Sequence, residues 1–154
     1  KKNFKGDCQV QFRVPYENGT LTAIAYNAAG QEIGRNTLRT ASDSTQLRCE
    51  PEQPTVEAGH LAFIRLRCTD AEGTTKPMER HRIAVHVTGG TLLALGNACP
   101  YNADGYLNQD TDTYYGEALA IVLADGSAPV ELTAEDGTRT AACQIELKGE
   151  SSHV

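Results

Sequence analysis

The 154-residue sequence has no Trp, one Met and 6% aromatic residues in all. A core built on large aromatic anchors is therefore excluded, and aliphatic and small side chains must fill the interior. No stretch approaches ~18 uncharged apolar residues, so a transmembrane helix is excluded. Basic residues are in deficit: 14 Lys and Arg against 20 Asp and Glu, net charge -6. That balance argues against nucleic acid or an anionic membrane as the main partner, since both reward a basic face. The five cysteines (Cys8, Cys49, Cys68, Cys99 and Cys143) form no CxxC pair. A zinc knuckle or redox motif has no support. The odd count leaves at least one thiol free in a monomer. Most of them read as small buried hydrophobes of a reducing compartment, which favours the cytoplasm over a secreted or periplasmic setting. No initiator Met and no charged-then-apolar leader precede Lys1-Lys2-Asn3-Phe4, as in a processed product or a piece of a longer protein.

What is present is alternation of period 2. Val10, Phe12 and Val14 alternate with Gln11 and Arg13. Ile64, Leu66 and Cys68 alternate with Arg65 and Arg67; Ile83, Val85 and Val87 with Arg82 and His86. Val130, Leu132 and Ala134 repeat the pattern, as do Cys143, Ile145 and Leu147. Each set has one apolar and one polar face, as half-buried antiparallel strands do. Ala118 to Ala124 is apolar on both faces and predicts a central strand covered on both sides. Asn18-Gly19 predicts a hairpin between Val10–Tyr16 and Thr20–Tyr26. Ala28-Ala29-Gly30, Glu72-Gly73, Gly89-Gly90, Asp125-Gly126 and Asp136-Gly137 mark further reversals. No amphipathic helix of three turns is present, with only a weak helical signal at Tyr101–Tyr106. About ten short strands with such turns read as an all-β antiparallel sandwich.

A boundary falls in the small polar run Thr40–Ser44. Residues 42–148 hold about seven strands, enough for one sandwich. Residues 1–41 supply about three, which would bury little and leave open edges. The front piece thus reads as the remainder of a second β domain, and 149–154 as a tail. An unpaired strand edge in the front piece predicts a homo-oligomer formed by pairing between chains.

Several strings, taken in order, resemble the C-terminal part of glycoside hydrolase family 2, the β-galactosidase group. Val14-Pro15-Tyr16-Glu17-Asn18-Gly19-Thr20-Leu21-Thr22-Ala23-Ile24-Ala25-Tyr26 resembles its V-x-Y-x-x-G-T-L-x-A-x-x-Y hairpin. Ala29-Gly30-Gln31-Glu32 and Leu38-Arg39-Thr40-Ala41 resemble the strand that follows. Ala58-Gly59-His60-Leu61-Ala62-Phe63-Ile64 through Thr69-Asp70-Ala71-Glu72-Gly73 resembles the start of the next immunoglobulin-like domain. Leu95-Gly96-Asn97-Ala98-Cys99-Pro100 resembles a G-N-G-D-P string, with Cys99 where that string has Asp. Tyr115-Gly116-Glu117-Ala118-Leu119-Ala120-Ile121-Val122 completes the series. The resemblance covers about residues 9–147. It implies an immunoglobulin-like β-sandwich attached to a bacterial glycosidase whose two catalytic glutamates sit on a (β/α)₈ barrel outside this chain. The implied partners are the remaining domains of that parent, and no cofactor is implied. The fragment itself would then be no enzyme but a structural support for the barrel, with a role in subunit contacts.

The candidate catalytic groups agree with that expectation. A retaining glycosidase needs two carboxylates ~5 Å apart, and nothing in the acidic residues marks such a pair. No G-x-S-x-G occurs, and His60, His81, His86 and His153 fall in turns, on polar faces or in the tail, where solvation is the ordinary fate. Arg65, Arg67, Arg80 and Arg82 predict cross-strand pairs with Glu and Asp rather than an anion site. Asn18-Gly19-Thr20 is formally a glycosylation acceptor, but its turn explains it. The unusual segment is Cys99 to Tyr115, longer than most loops of a compact domain. Tyr101, Tyr106, Tyr114 and Tyr115 with Asp110 and Asp112 make it the candidate carbohydrate-binding site, since rings stack on sugar faces and carboxylates accept hydroxyl protons. Asp104 and Asn108 add oxygen ligands, but the spacing misses a calcium loop, so no metal is expected. The plainer reading is a loop packed on a neighbouring domain. The alternatives to a structural support are therefore a carbohydrate-binding module using residues 99–115 and a cell-surface adhesion-type immunoglobulin-like repeat.

Overall fold

The computed structural model describes Lys2 and residues 9–148, so the tail at 149–154 and His153 lie outside the described residues, as does Cys8. The chain divides into two compact units, Lys1–Thr40 and Ala41–Val154. Among the described residues there is no helix, hence none long and apolar enough to cross a membrane.

The first unit is a two-stranded ribbon, β1 (Thr20–Tyr26) antiparallel to β2 (Glu32–Arg39). The turn between them is built by Asn27. Its carbonyl accepts from Gly30 N at 3.0 Å, and its side-chain oxygen accepts from Gln31 N at 2.9 Å. Gly30 takes φ +81, which a side chain would resist. Thr40 closes the open end: its amide donates to the Gly19 carbonyl at 2.8 Å, and its hydroxyl accepts from Gly19 N. Residues 9–39 are exposed throughout.

The strand expected at Val10–Tyr16, and with it the Asn18-Gly19 hairpin, does not form. Residues 9–17 have no ladder partner among the described residues, and Pro15 lacks the N–H a ladder would need. Asn18 does not adopt the positive φ that a two-residue type I′ turn requires, so β1 pairs forward with β2 instead.

The second unit is the sandwich. One sheet has the order β4-β11-β10-β6-β8 and the other β3-β5-β9-β7. Their ranges are β3 (Gln46–Pro51), β4 (Thr55–Val56), β5 (Leu61–Thr69), β6 (Arg82–Thr88), β7 (Gly90–Gly96), β8 (Asp110–Asp112), β9 (Glu117–Ala124), β10 (Val130–Glu135) and β11 (Thr140–Leu147). All pairings are antiparallel except β4 with β11. The sequence reading expected about seven strands here. The surplus comes from the two-residue β4 and from β8, too short to show a period.

Alternation sets the register. Ile64 and Leu66 of β5, Ala120 and Val122 of β9, Ile83 of β6, Leu132 of β10 and Ile145 of β11 point between the sheets and are at most 1% exposed. Each Ile, Leu or Val among them contributes roughly 1.5–3 kcal/mol by leaving water. The core is aliphatic, as the lack of Trp required. Four described polar residues also sit inside: Thr69, Asp70, Thr111 and Thr113. Asp70, fully buried, accepts from Ser42 N at 3.0 Å and Thr74 N at 2.7 Å, fixing the tight turn after β5. Thr113 accepts from His81 N at 3.0 Å.

The outer face of β9 departs from expectation. Glu117, Leu119, Ile121 and Leu123 are half-buried rather than covered. They stand beside Leu61, Phe63 and Arg65 in the pairs Leu61 with Leu123, Phe63 with Ile121, and Arg65 with Leu119. A half-exposed apolar sheet face is the result.

Candidate functional site

One cavity of about 600 Å³ opens on that outer face. Its floor is Ala94 and Gly96 of β7 with Leu119 and Ile121 of β9. Arg65 and Glu52 border one side, Glu117 another, and Tyr106, Tyr114 and Tyr115 form the remaining wall.

Local sequence builds this wall. Tyr114 and Glu117 exchange backbone hydrogen bonds at 2.9 and 3.1 Å, leaving Tyr115 and Gly116 as the two central turn residues. Their φ values are +51 and +75, the pattern of a type I′ reversal. Gly116 has no alternative: a Cβ there would lie 2.5 Å from the Lys76 carbonyl oxygen. Tyr115, the only non-glycine residue with positive φ among those described, accepts the strain and places its ring edge-on to Tyr114 at 4.5 Å. Burial and the Tyr115 hydroxyl push the Tyr114 phenol above its ordinary pKa. Tyr106 reaches the floor from the 97–109 loop. Its carbonyl accepts from Leu95 N at 2.8 Å, and its ring lies directly over Gly96. A Cβ on Gly96 would come within 2.3 Å of that ring.

Asn97 anchors the loop. It donates to the Asp112 carbonyl at 2.6 Å and accepts from Cys99 N at 2.9 Å. Pro100 and Tyr101 occupy a turn rather than the weakly signalled helix.

The sequence-predicted site divides in two. Tyr106, Tyr114 and Tyr115 meet at the cavity. Tyr101 does not line it and is 91% exposed. Asp110 and Asp112 lie on β8 in the opposite sheet, committed to guanidinium groups. Arg82 binds Asp110 at 3.0 Å and Asp104 at 2.5 Å, and Arg80 binds Asp112 at 2.7 Å. The hydrogen bond from Arg82 holds the Asp110 carboxyl below its usual range. Among the described residues no group of three or more His, Cys, Asp or Glu is arranged to hold a metal.

The arginines pair with carboxylates as expected. Arg65 meets Glu52 at 3.3 Å, and Arg67 meets Glu50 at 2.7 Å and Glu117 at 3.2 Å. Both cavity carboxylates are thus ion-paired acceptors, and the site offers stacking surface rather than a nucleophile with a base. His81 departs from the solvated-surface reading: it is half-buried, 2.7 Å from Glu79, with Arg139 Nη2 3.1 Å from its ring. Sequence reading missed Gly96, Leu119 and Ile121 as site residues. The double-faced run Ala118–Ala124 was the available signal.

Residues 46–143 match the family model described as glycoside hydrolase family 2 C-terminal domain 5. Among solved structures, the chain is similar to a glycosyl hydrolase family 2 member from Bacteroides cellulosilyticus. The two are 27% identical with TM-score 0.80, over 88% of this chain and 18% of that one. A beta-glycosidase from Bacteroides vulgatus has the same fold at 21% identity and TM-score 0.83, over 94% of this chain and 19% of that one. A family 2 beta-glucuronidase shares it at 16% identity and TM-score 0.72, over 88% and 15%. The chain spans less than a fifth of the length of each of these structures. No curated protein sequence matches it.

Proposed function

The chain belongs to the glycoside hydrolase family 2 C-terminal domain 5 family, and from that premise we propose that it is a non-catalytic C-terminal region of a glycosidase. Its work is to seat the outer face of the four-stranded sheet against the remaining domains of the parent, buttressing the catalytic barrel. The observation that carries this reading is the half-exposed apolar row Leu61, Phe63, Leu119, Ile121 and Leu123, continuous with the tyrosine wall. Apolar patches of this kind mark interaction surfaces. The small share of each glycosidase that the chain spans supports a parent with further domains. The mechanism is packing rather than bond-making. In the isolated chain, Leu61→Ser with Phe63→Ser should cost little, because both side chains are already exposed to water. In the parent glycosidase the same pair should lower the thermal midpoint by several degrees and reduce activity. An unaffected parent would remove the reading.

A second reading rests on the cavity itself: three tyrosines around an apolar floor suit stacking on a sugar ring. Titrating galactosides, glucuronides and plant polysaccharides while following tyrosine fluorescence separates the two, with no Trp to mask the signal. Silence at millimolar sugar eliminates it. Pairing between chains through the ribbon edge is a separate proposal. It predicts association at high concentration by light scattering, and a strictly monomeric protein would refute it.

A further inference from the structure

The 97–109 loop joins β7 to β8 and so passes from the four-stranded sheet to the five-stranded one. β7 is an edge strand. Its Leu95 amide donates to the Tyr106 carbonyl at 2.8 Å, so the loop covers that edge. Gly96 has no positive φ, and its backbone therefore does not call for glycine. The Tyr106 ring does, because it leaves no room for a Cβ.

Little holds the loop in that place. Tyr101 and Leu107 are 91% and 87% exposed, so its large apolar side chains turn to water rather than into a core. The bonds from Asn102 N to the Cys99 carbonyl, Asp104 N to Asn102 Oδ1 and Asn108 N to the Gly105 carbonyl stay inside the loop. Among the described residues, two hydrogen-bonded ties run from 98–108 to the strands. One is the Tyr106 carbonyl on Leu95 N. The other is the Asp104 carboxylate, which accepts from Nη1 of Arg82 on β6 at 2.5 Å.

Arg82 is also where the β8 carboxylates meet. Its Nε donates to Asp110 Oδ2 at 3.0 Å, and its Nη1 lies 3.6 Å from Asp112 Oδ1. Arg80 pairs with Asp112 at 2.7 Å and does not replace Arg82 at Asp104. Three carboxylates thus converge on one guanidinium. A lone exposed ion pair contributes little, but several charges on one centre act as a network. Without Arg82, Asp104 would face Asp110 and Asp112 as like charges, and repulsion would drive the loop outward.

We infer that Arg82 is a positioning residue of the cavity: through Asp104 it latches the 97–109 loop and sets the Tyr106 ring over Gly96, so that the aromatic wall depends on a guanidinium in the opposite sheet. The latch serves the cavity whether a sugar or a neighbouring domain fills it. Opening it would strip Leu95 N of its acceptor, uncover the β7 edge and take one of the three tyrosines out of the wall.

The test is amide hydrogen exchange resolved by residue on the full chain, with Leu95 as reporter. Arg82→Gln should speed Leu95 exchange by about tenfold, while Leu66 and Ala120 on the central strands keep their rates. Asp104→Asn alters only the loop and should do the same, which keeps the latch testable if Arg82→Gln folds poorly. The two effects should not add: the double variant should exchange Leu95 no faster than either single variant. Arg82→Lys keeps a positive charge among the carboxylates and should recover part of the protection. In Arg82→Gln and Asp104→Asn the nuclear Overhauser contact between the Tyr106 ring and the Gly96 α-protons should weaken. Leu95 exchange unchanged in both single variants would overturn the inference. So would equal acceleration at Leu66 and Ala120, because Arg82 would then hold the sandwich rather than the loop.

Discussion

Residues 9–39 and the sandwich from Ala41 onward use the same alphabet of alternating apolar and polar residues, yet with opposite results. In the ribbon, Leu21, Ile33 and Leu38 are 54%, 67% and 67% exposed. In the sandwich, the equivalent positions of β5, β9 and β10 vanish from solvent. The difference is the second layer. A ladder alone aligns backbones, but only a facing sheet takes side chains out of water. Stability therefore resides in the sandwich, and the ribbon contributes a shape.

The sharpest way to break that contrast is matched truncation of side chains. Leu132→Ala should cost about 2–5 kcal/mol by urea unfolding, since Leu132 is fully buried between its cross-strand partners Val87 and Cys143. Leu38→Ala in the ribbon should cost under about 0.5 kcal/mol. A comparable loss would mean that the ribbon face is covered in solution.

Glycines give the next largest effect. Gly89 has φ +70, and a Cβ there would sit 2.1 Å from the Pro129 carbonyl oxygen, a backbone atom that cannot swing aside. Gly89→Ala should destabilise by about 2–4 kcal/mol in the same measurement. Gly30→Ala meets nothing within 4 Å and should cost only about 1 kcal/mol, from its φ alone.

Asp70→Ala should cost about 2–3 kcal/mol, leaving the Ser42 and Thr74 amides without an acceptor. Asp70→Asn retains one oxygen and should cost less.

The smallest effect is a pH slope. The His81 and Thr45 hydrogen bonds hold Glu79 below its ordinary value of 4.5. Asp136 is pushed up by burial, but the Thr138 and Arg139 amides, with the Arg139 guanidinium, outweigh that and hold it below 3.8. Carboxyls lowered in the folded state stabilise it above their unfolded values and lose that contribution as acid protonates them. The sandwich midpoint should be flat above about pH 4.5 and fall below it. Glu79→Gln should flatten part of the decline. A midpoint indifferent to acid would show that neither carboxyl is held by its partners.

Much of the fold was legible because period 2 is a local property. Ile64, Leu66, Ile83, Leu132 and Ile145 each announced an inward face within their own few residues. The Val10–Val14 alternation misled, because pairing needs a partner that the alternating residues do not specify. The candidate site was half legible. Tyr106, Tyr114 and Tyr115 were recognised as a group, whereas Asp110 and Asp112 were drawn away by Arg82 and Arg80, residues distant in sequence.

Composition and alternation by themselves determined an all-β chain with an aliphatic core, no spanning helix and surface arginines bound to carboxylates, because each depends on a residue and its near neighbours. Tertiary structure alone decided which strand met which, that Tyr106 would lie over Gly96, and that Arg82 and Arg80 would take up Asp110 and Asp112. Those outcomes depend on how two twisted sheets stack, and stacking joins residues that no short stretch of sequence relates.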